Sequence, residues 1–401
     1  MRSLAAVMLA TLAGTAAAAP PVIGGHDAAD GAWPDAVAIL FPDGNGGADV
    51  QECTGTLVAP TVVLTAGHCY DTGKGSLPDH VLIGTNDLAT PSAGTVIAIQ
   101  RGIQYPNYSA NYDVTVLVLA TPATQAPRAI ADGWAKWDIT NGAMVNFVGW
   151  GSTDMNGNDY PDQLQEAMST ITDFDCSINA TNGCSSGAMP AGELGAGGMG
   201  IDTCPGDSGG PMYLPTSYGT FLAGITSRGY NNDQYACSEG GIYERPDKIT
   251  GWIEQSAGTA ITHGPTPSAE TALDVMQGGG DNTQLDANDP KSTMHTYSVM
   301  TQPTNGTAAV NDQGVLRVCA NSDAPTGTDS VTLVATDSTN EMRVVAFTLP
   351  ITIEAGSASG SCDPSDFSGS DGGGCCSSSR GAGGSVLLAF GVVALVMRKR
   401  R

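Results

Sequence analysis

Cys204-Pro205-Gly206-Asp207-Ser208-Gly209-Gly210-Pro211 is the stretch on which the fold and the chemistry of this chain turn. Glycines before and after Ser208 let the backbone turn tightly and come close to a bound molecule. A serine hydroxyl is a poor nucleophile at neutral pH and needs a neighbouring base. Two upstream segments offer one. Leu64-Thr65-Ala66-Gly67-His68-Cys69 carries one of only five histidines, and Asn111-Tyr112-Asp113-Val114-Thr115-Val116-Leu117 sets an aspartate just before a β-type run. Singly, each has a bland reading: a glycine-rich loop, a surface histidine, a turn residue at a strand start. Together they supply a nucleophile, a base and a carboxylate to orient that base.

Around these segments lie short apolar runs broken by Gly, Pro and Asp turns. Ala36–Leu40, Val62–Leu64, Val81–Ile83 and Val114–Leu119 read as strands, and one helix is expected near Pro246–Gln255. The chain has 401 residues, enough for two or three domains. Its 53 glycines and 6% aromatic content suit a loop-rich all-β protein, and 41% hydrophobic residues exclude a wholly disordered one. With 16 Lys+Arg against 40 Asp+Glu, a net charge of -24, it lacks the basic surface that nucleic acid or anionic lipid would need.

The two ends read as targeting segments. Met1-Arg2-Ser3, the apolar run Leu4–Leu12 and Ala16–Ala19 form a signal peptide, 1–19, followed by a two-residue pro-segment, 20–21. Export makes the ten cysteines candidates for disulfides rather than thiols. At the far end, a Gly/Ser/Asp-rich stretch, 355–380, reads as a flexible stalk. The tail, 381–401, holds the apolar run Val386–Met397 and then Arg398-Lys399-Arg400-Arg401. That run is marginal for a bilayer span, and its basic end would stay cytoplasmic. The tail resembles the bacterial GlyGly-CTERM and MYXO-CTERM sorting tails, and Cys375-Cys376 fit the cysteine-bearing version. The resemblance implies a Gram-negative bacterial source, a tail-sorting protease, transient membrane attachment, and release to the surface or medium.

The ordered His, Asp and Ser segments resemble the trypsin-like, chymotrypsin-fold serine endopeptidases. Val22-Ile23-Gly24-Gly25, Trp33-Pro34, Phe147-Val148-Gly149-Trp150-Gly151 and Gly241-Ile242-Tyr243 extend the likeness over residues 22–258. It implies a two-barrel all-β domain that hydrolyses peptide bonds. His68 would be the general base, Asp113 would orient it, and Ser208 would be the nucleophile. Gly206 and Ser208 would present backbone N–H groups to the oxyanion. Asp207 would pair with a new N-terminal ammonium at Val22. Asp202, six residues before Ser208, would select Arg or Lys at the base of a pocket lined by Ser227, Gly229 and Gly241. The resemblance also implies bridges Cys53–Cys69 and Cys204–Cys237; the family's Cys-Ala-Gly reads Pro190-Ala191-Gly192 here, and nearby Cys184 is expected to pair with Cys176 instead. Cys319, Cys362, Cys375 and Cys376 stay unassigned.

The chain departs from that family in two further places. Arg228 stands where the family has a tryptophan, and its side chain is expected to point along the substrate groove and to favour acidic groups upstream of the cut. Val22 follows Ala19-Pro20-Pro21 rather than a basic residue, so another enzyme must expose it, such as a proline-tolerant aminopeptidase acting after signal peptidase.

Beyond a linker at 259–267, residues 268–354 form a second β unit. Its strand candidates are Met294–Met300, Ser330–Val334 and Val344–Ile353, with a turn at Thr301–Gly306. Tyr297-Ser298-Val299, Gly306-Thr307, Gly327–Ser330 and Val334–Asp337 resemble bacterial Ig-like or cadherin-like modules, implying a small β-sandwich. The whole reads as an exported serine endopeptidase acting on protein or peptide substrates, with no metal and no organic cofactor. The alternatives are a surface adhesin built on a protease-like domain, or a serine protease of different specificity.

Overall fold

The structure is a computed structural model that describes residues 21–43, 49–71, 73, 75–231, 234–356 and 362–367. The expected signal peptide, the tail, most of the stalk and Cys375-Cys376 lie outside the described residues. Two closed six-stranded antiparallel barrels dominate. The first contains β1 (Ala36–Phe41), β2 (Val50–Ala59), β3 (Val62–Thr65), β4 (His80–Ile83), β5 (Thr95–Gln104) and β6 (Thr115–Leu119). They close in the order β1-β2-β3-β6-β5-β4. β1, Ala-Val-Ala-Ile-Leu-Phe, is buried at every position. A small barrel with both strand faces covered asks for such a continuous apolar run rather than an alternating one.

The second barrel contains β7 (Met144–Gly149), β8 (Gln165–Asp173), β9 (Leu194–Ala196), β10 (Pro211–Thr216), β11 (Gly219–Gly229) and β12 (Gly241–Glu244). The order is β8-β9-β12-β11-β10-β7, closed by β7 on β8. Its core stacks Phe147 on Tyr243 with ring centroids 5.2 Å apart and buries Leu194, Met212 and Ala223 around them. Helix α1 (Thr250–Ala257) follows, stopped by Gly258 in the left-handed region.

A buried ion pair ties the two barrels together. Asp35, just before β1, accepts from Arg128 Nε at 3.0 Å and from the Tyr213 hydroxyl at 2.6 Å. Arg128 lies 4.8 Å over the Tyr213 ring, and Trp33 stacks on the same ring at 4.6 Å. Removing one member of such a pair typically costs about 3–5 kcal/mol, because the other charge is left buried.

Eight more strands follow: β13 (Ser268–Ala269), β14 (Leu273–Met276), β15 (Gly280–Asp286), β16 (His295–Thr301), β17 (Gly306–Val310), β18 (Val315–Ala320), β19 (Gly327–Asp337) and β20 (Val344–Glu354). They make two four-stranded sheets, β13-β15-β18-β17 and β14-β20-β19-β16. In β20, Val345, Phe347, Leu349, Ile351 and Ile353 are buried and the residues between them are exposed. That is the period-two signature of a sheet with one covered face. By compactness the chain forms two units. The larger takes the described residues up to Ala269 with Leu285–Ser298 and Leu333–Phe347, and the smaller takes Glu270–Gln284, Val299–Thr332 and the described residues from Thr348. Among the described residues there are four disulfides: Cys53–Cys69, Cys176–Cys184, Cys204–Cys237 and Cys319–Cys362. The fourth was not assigned from sequence. Among the described residues, no helix is long and apolar enough to cross a membrane.

Candidate active site

His68 sits on a short 3-10 turn, Gly67–Tyr70, that leaves β3, and the Cys53–Cys69 bridge pins this turn to β2. Asp113 lies two residues before β6. Its Oδ1 accepts the His68 backbone N–H at 2.8 Å, and its Oδ2 lies 2.8 Å from His68 Nδ1. An ionised carboxylate can only accept, so this contact assigns the proton to Nδ1 and leaves Nε2 free to act as a base. Burial would push Asp113 up. The hydrogen bonds and charge of His68, joined by the Ser227 hydroxyl, outweigh it and hold the carboxyl below its ordinary range.

Ser208 lies in the loop between Asp202 and β10. The Ser208 carbonyl accepts the Thr54 N–H at 2.9 Å. The Gly206 carbonyl accepts from Gln51 Nε2 at 2.9 Å and Thr54 Oγ1 at 3.0 Å. Gly206 has φ +99°, a conformation that L side chains rarely adopt. Ser208, Gly206 and His68 line one cavity of about 460 Å³. His68, Asp113, Ser227 and Arg228 line a second of about 580 Å³. His68 is common to both. Among the described residues there is no hydrogen bond between Ser208 Oγ and His68, a contact that often tightens only with substrate bound.

Asp207 is buried, with Oδ1 on the Gly151 N–H at 2.8 Å and Oδ2 on the Cys204 N–H at 2.9 Å. Gly149 and Gly151 are required here, since a Cβ at either would overlap the Asp207 carboxylate. Burial pushes Asp207 up to about 7, against those two amides and with help from nearby Asp202. Val22 is fully buried beside Phe147 and Leu194. Its nitrogen is a peptide nitrogen in the uncleaved chain, so the expected Val22–Asp207 ion pair is not formed here.

Asp202 is also buried. Its Oδ2 accepts the N–H groups of Ser238 and Gly240 at 2.9 Å each, and its Oδ1 accepts that of Thr203 at 2.8 Å. Gly241 lies alongside, where a Cβ would come within 3.5 Å of Asp202 Oδ1. Gly229 ends β11 opposite Gly241. Ser227, expected only in the pocket lining, also donates from Oγ to Asp113 Oδ2 at 2.8 Å.

Arg228 departs from its expected direction. It does not reach out for an acidic group on a substrate. Its Nη2 lies 2.9 Å from both oxygens of Glu193 and 3.1 Å from the Gly183 carbonyl, and Nη1 donates to Ser227 Oγ at 3.2 Å. A buried carboxylate on its own chain outcompetes a solvated one. Glu193 and Glu244 are the functional candidates that the sequence did not single out. Glu244 is fully buried, accepts the Asp113 N–H through Oε1 at 3.1 Å, and lies 3.8 Å from Arg228 Nη1. Nothing in Gly-Ile-Tyr-Glu signals that role. As for metal ligands, two of the three clusters contain disulfide cysteines, whose sulfurs are committed. The third, Asp49, Asp79 and His80, is largely exposed.

A trypsin family model matches residues 22–253. This chain belongs to the trypsin family. It is 34% identical over 215 residues to a protein named Trypsin from Saccharopolyspora erythraea, covering 52% of this chain and 86% of that one. The trypsin-family domain thus takes in both barrels, the disulfide pairs Cys53–Cys69, Cys176–Cys184 and Cys204–Cys237, and all three catalytic candidates. The family is one of serine endopeptidases.

Proposed function

We propose that this protein is an exported serine endopeptidase that cleaves after Arg or Lys. Ser208 Oγ attacks the carbonyl carbon while His68 Nε2 takes its proton, and Asp113 stabilises the resulting imidazolium. The oxyanion is held by the N–H groups of Gly206 and Ser208, each typically worth about 2.7–4 kcal/mol. Collapse expels the amine, which takes the proton from His68, and leaves an acyl-enzyme. Water, deprotonated by His68, then releases the acid and restores Ser208.

The observation that carries the reading is the buried Asp202 carboxylate, held by the backbone amides of Thr203, Ser238 and Gly240. Backbone amides supply hydrogen bonds and no counter-charge, which suits a carboxylate meant to receive a guanidinium or ammonium. Asp207 takes the Val22 ammonium once residues 1–21 are removed. The β-strands from 268 to 354 are an Ig-like or cadherin-like module, and the tail is a sorting segment.

The test is steady-state hydrolysis of matched Arg, Lys, Phe and Ala peptide anilides by chain beginning at Val22, beside Ser208→Ala. Loss of the nucleophile costs up to about 10⁶ in kcat in such sites. Fast Arg/Lys cleavage abolished by Ser208→Ala supports the whole reading. Cleavage after Phe or Ala discards Asp202 as selector and keeps the serine mechanism. A folded protein with free Val22 and no turnover refutes both.

A further inference from the structure

Three carboxylates converge behind His68. Asp113, Glu193 and Glu244 come from the segment before β6, the segment before β9 and the end of β12. Glu193 and Glu244 are 3% and 0% exposed. Arg228 on β11 is the one described cation in contact with these two glutamates. Its side chain is 39% exposed, and both terminal nitrogens of the guanidinium are engaged. Nη2 serves Glu193 and Gly183, while Nη1 serves Ser227 Oγ and faces Glu244. Ser227 Oγ in turn donates to Asp113 Oδ2, which also meets His68 Nδ1.

A hydroxyl has one proton and can rotate. Arg228 occupies the accepting side of Ser227 Oγ, so the hydroxyl proton is directed to Asp113. Glu193 clamps the guanidinium in the position that does this. Resting on the proposed serine mechanism, we propose that Arg228 is a positioning residue of the catalytic machinery. It acts through Ser227 on the Asp113–His68 pair and is held there by its ion pair with Glu193. The fold then uses this position, in the lining of the cavity beside His68, to orient the triad.

The charge argument has a sign. Besides the three carboxylates, the groups that face this cluster are His68, Tyr112, Tyr108 with its hydrogen bond to Asp71, and the mutually paired Arg245 and Asp247. Removing the Arg228 charge leaves the site more negative. Protonated His68 is then favoured, and the acid limb of the kcat/KM profile moves to higher pH, by roughly half a pH unit for a partly screened charge. Removing the Glu193 charge moves the limb the other way.

The experiment uses the full chain processed to begin at Val22. The substrate is a short Arg or Lys anilide with no residues upstream of that Arg or Lys, so that the more distant subsites are not engaged. Arg228→Met, Arg228→Lys, Glu193→Gln, Ser227→Ala and the Arg228→Met/Ser227→Ala double variant are compared, each with its melting temperature. The expected result for Arg228→Met is a loss of roughly tenfold in kcat with KM little changed and the acid limb raised. Arg228→Lys should return the limb toward wild type, and Glu193→Gln should lower it. In the Ser227→Ala background, Arg228→Met should add less than about twofold, since the shared path is already cut. Fully additive losses, an unmoved profile, or an effect confined to KM on longer substrates would overturn the proposal. If Arg228→Met does not fold, Glu193→Gln decides: its acid limb must fall below wild type while that of Arg228→Lys stays near wild type, and an unmoved Glu193→Gln limb overturns the proposal. If Ser208→Ala matches wild type, the serine mechanism itself fails. Activity that depends on Ser208 with an additive cycle fails this inference alone.

Discussion

Ser227 donates its hydroxyl to Asp113 Oδ2 at 2.8 Å, the same oxygen that lies 2.8 Å from His68 Nδ1. Two donors on one carboxylate oxygen fix the plane of that carboxylate and hence the direction of the imidazole. A hydrogen bond to a charged group contributes about 1.5–3 kcal/mol. Ser227→Ala should therefore lower kcat/KM by roughly tenfold or more, mainly in kcat, while changing the melting temperature by only a few degrees. Steady-state kinetics beside thermal melts check this. An equal loss confined to KM would instead make Ser227 a substrate contact only.

Asp207 predicts a difference between the uncleaved and the processed chain. In the uncleaved chain its carboxyl is pushed up to about 7 from an ordinary 3.8, chiefly by burial. The folded state then holds a proton that the unfolded chain releases from about pH 4. Stability is full below that, is lost as the pH rises toward 7, and stays low above. A Val22 ammonium would stabilise the anion and remove this loss. Chain retaining Pro20-Pro21 should drop in melting temperature by roughly 5–10 °C between pH 4.5 and 8 relative to chain beginning at Val22. Parallel melts of the two forms across that range test it, and coincident curves would falsify it.

Glu244 carries the same sign, and burial again leads. Burial first, and then the neighbouring charge of Glu193, raise its carboxyl well above the ordinary value of 4.5, and its Oε2 has no hydrogen-bond partner. Glutamine has the shape of the protonated acid and no proton to lose. Glu244→Gln should melt like wild type near pH 4.5 and above it at pH 8, with the gap widening as the pH rises. A variant less stable than wild type at pH 8 would mean that Glu244 is an anion paired with Arg228.

Much of this was legible in the sequence, for identifiable reasons. Runs such as Ala36–Leu40 and Val81–Ile83 are short, apolar and bounded by turn residues, and the strands fall on them within a residue or so. The His68, Asp113 and Ser208 segments carry local patterns dense enough to be read one by one, and His68 does meet Asp113. The Arg228–Glu193 pair was not legible. Its members lie 35 residues apart, and neither has a local signature. Tertiary approach of β11 to the segment before β9 decides where Arg228 points, so the expectation of an outward side chain failed. Cys319–Cys362 was hidden likewise, since four unassigned cysteines leave the pairing open.

That last bridge gives a prediction independent of catalysis. Cys319 ends in β18, and Cys362 lies 43 residues later. The bond holds the segment at Cys362-Asp363 over Arg317, whose Nε donates to the Asp363 carbonyl at 2.9 Å and whose side chain is almost wholly buried. Cutting the bridge frees a long loop in the unfolded chain and also takes a partner from a buried cation. The first effect typically costs about 2–4 kcal/mol, and the second adds to it. Cys319→Ser/Cys362→Ser should therefore lower the melting transition of the smaller unit. Hydrolysis of a short peptide anilide should stay at the wild-type rate, because none of these residues belongs to the protease site. Calorimetry of the full chain beside the anilide assay separates the two. A fall in hydrolysis in step with the lost transition would show that the protease domain depends on the β-module for its own fold.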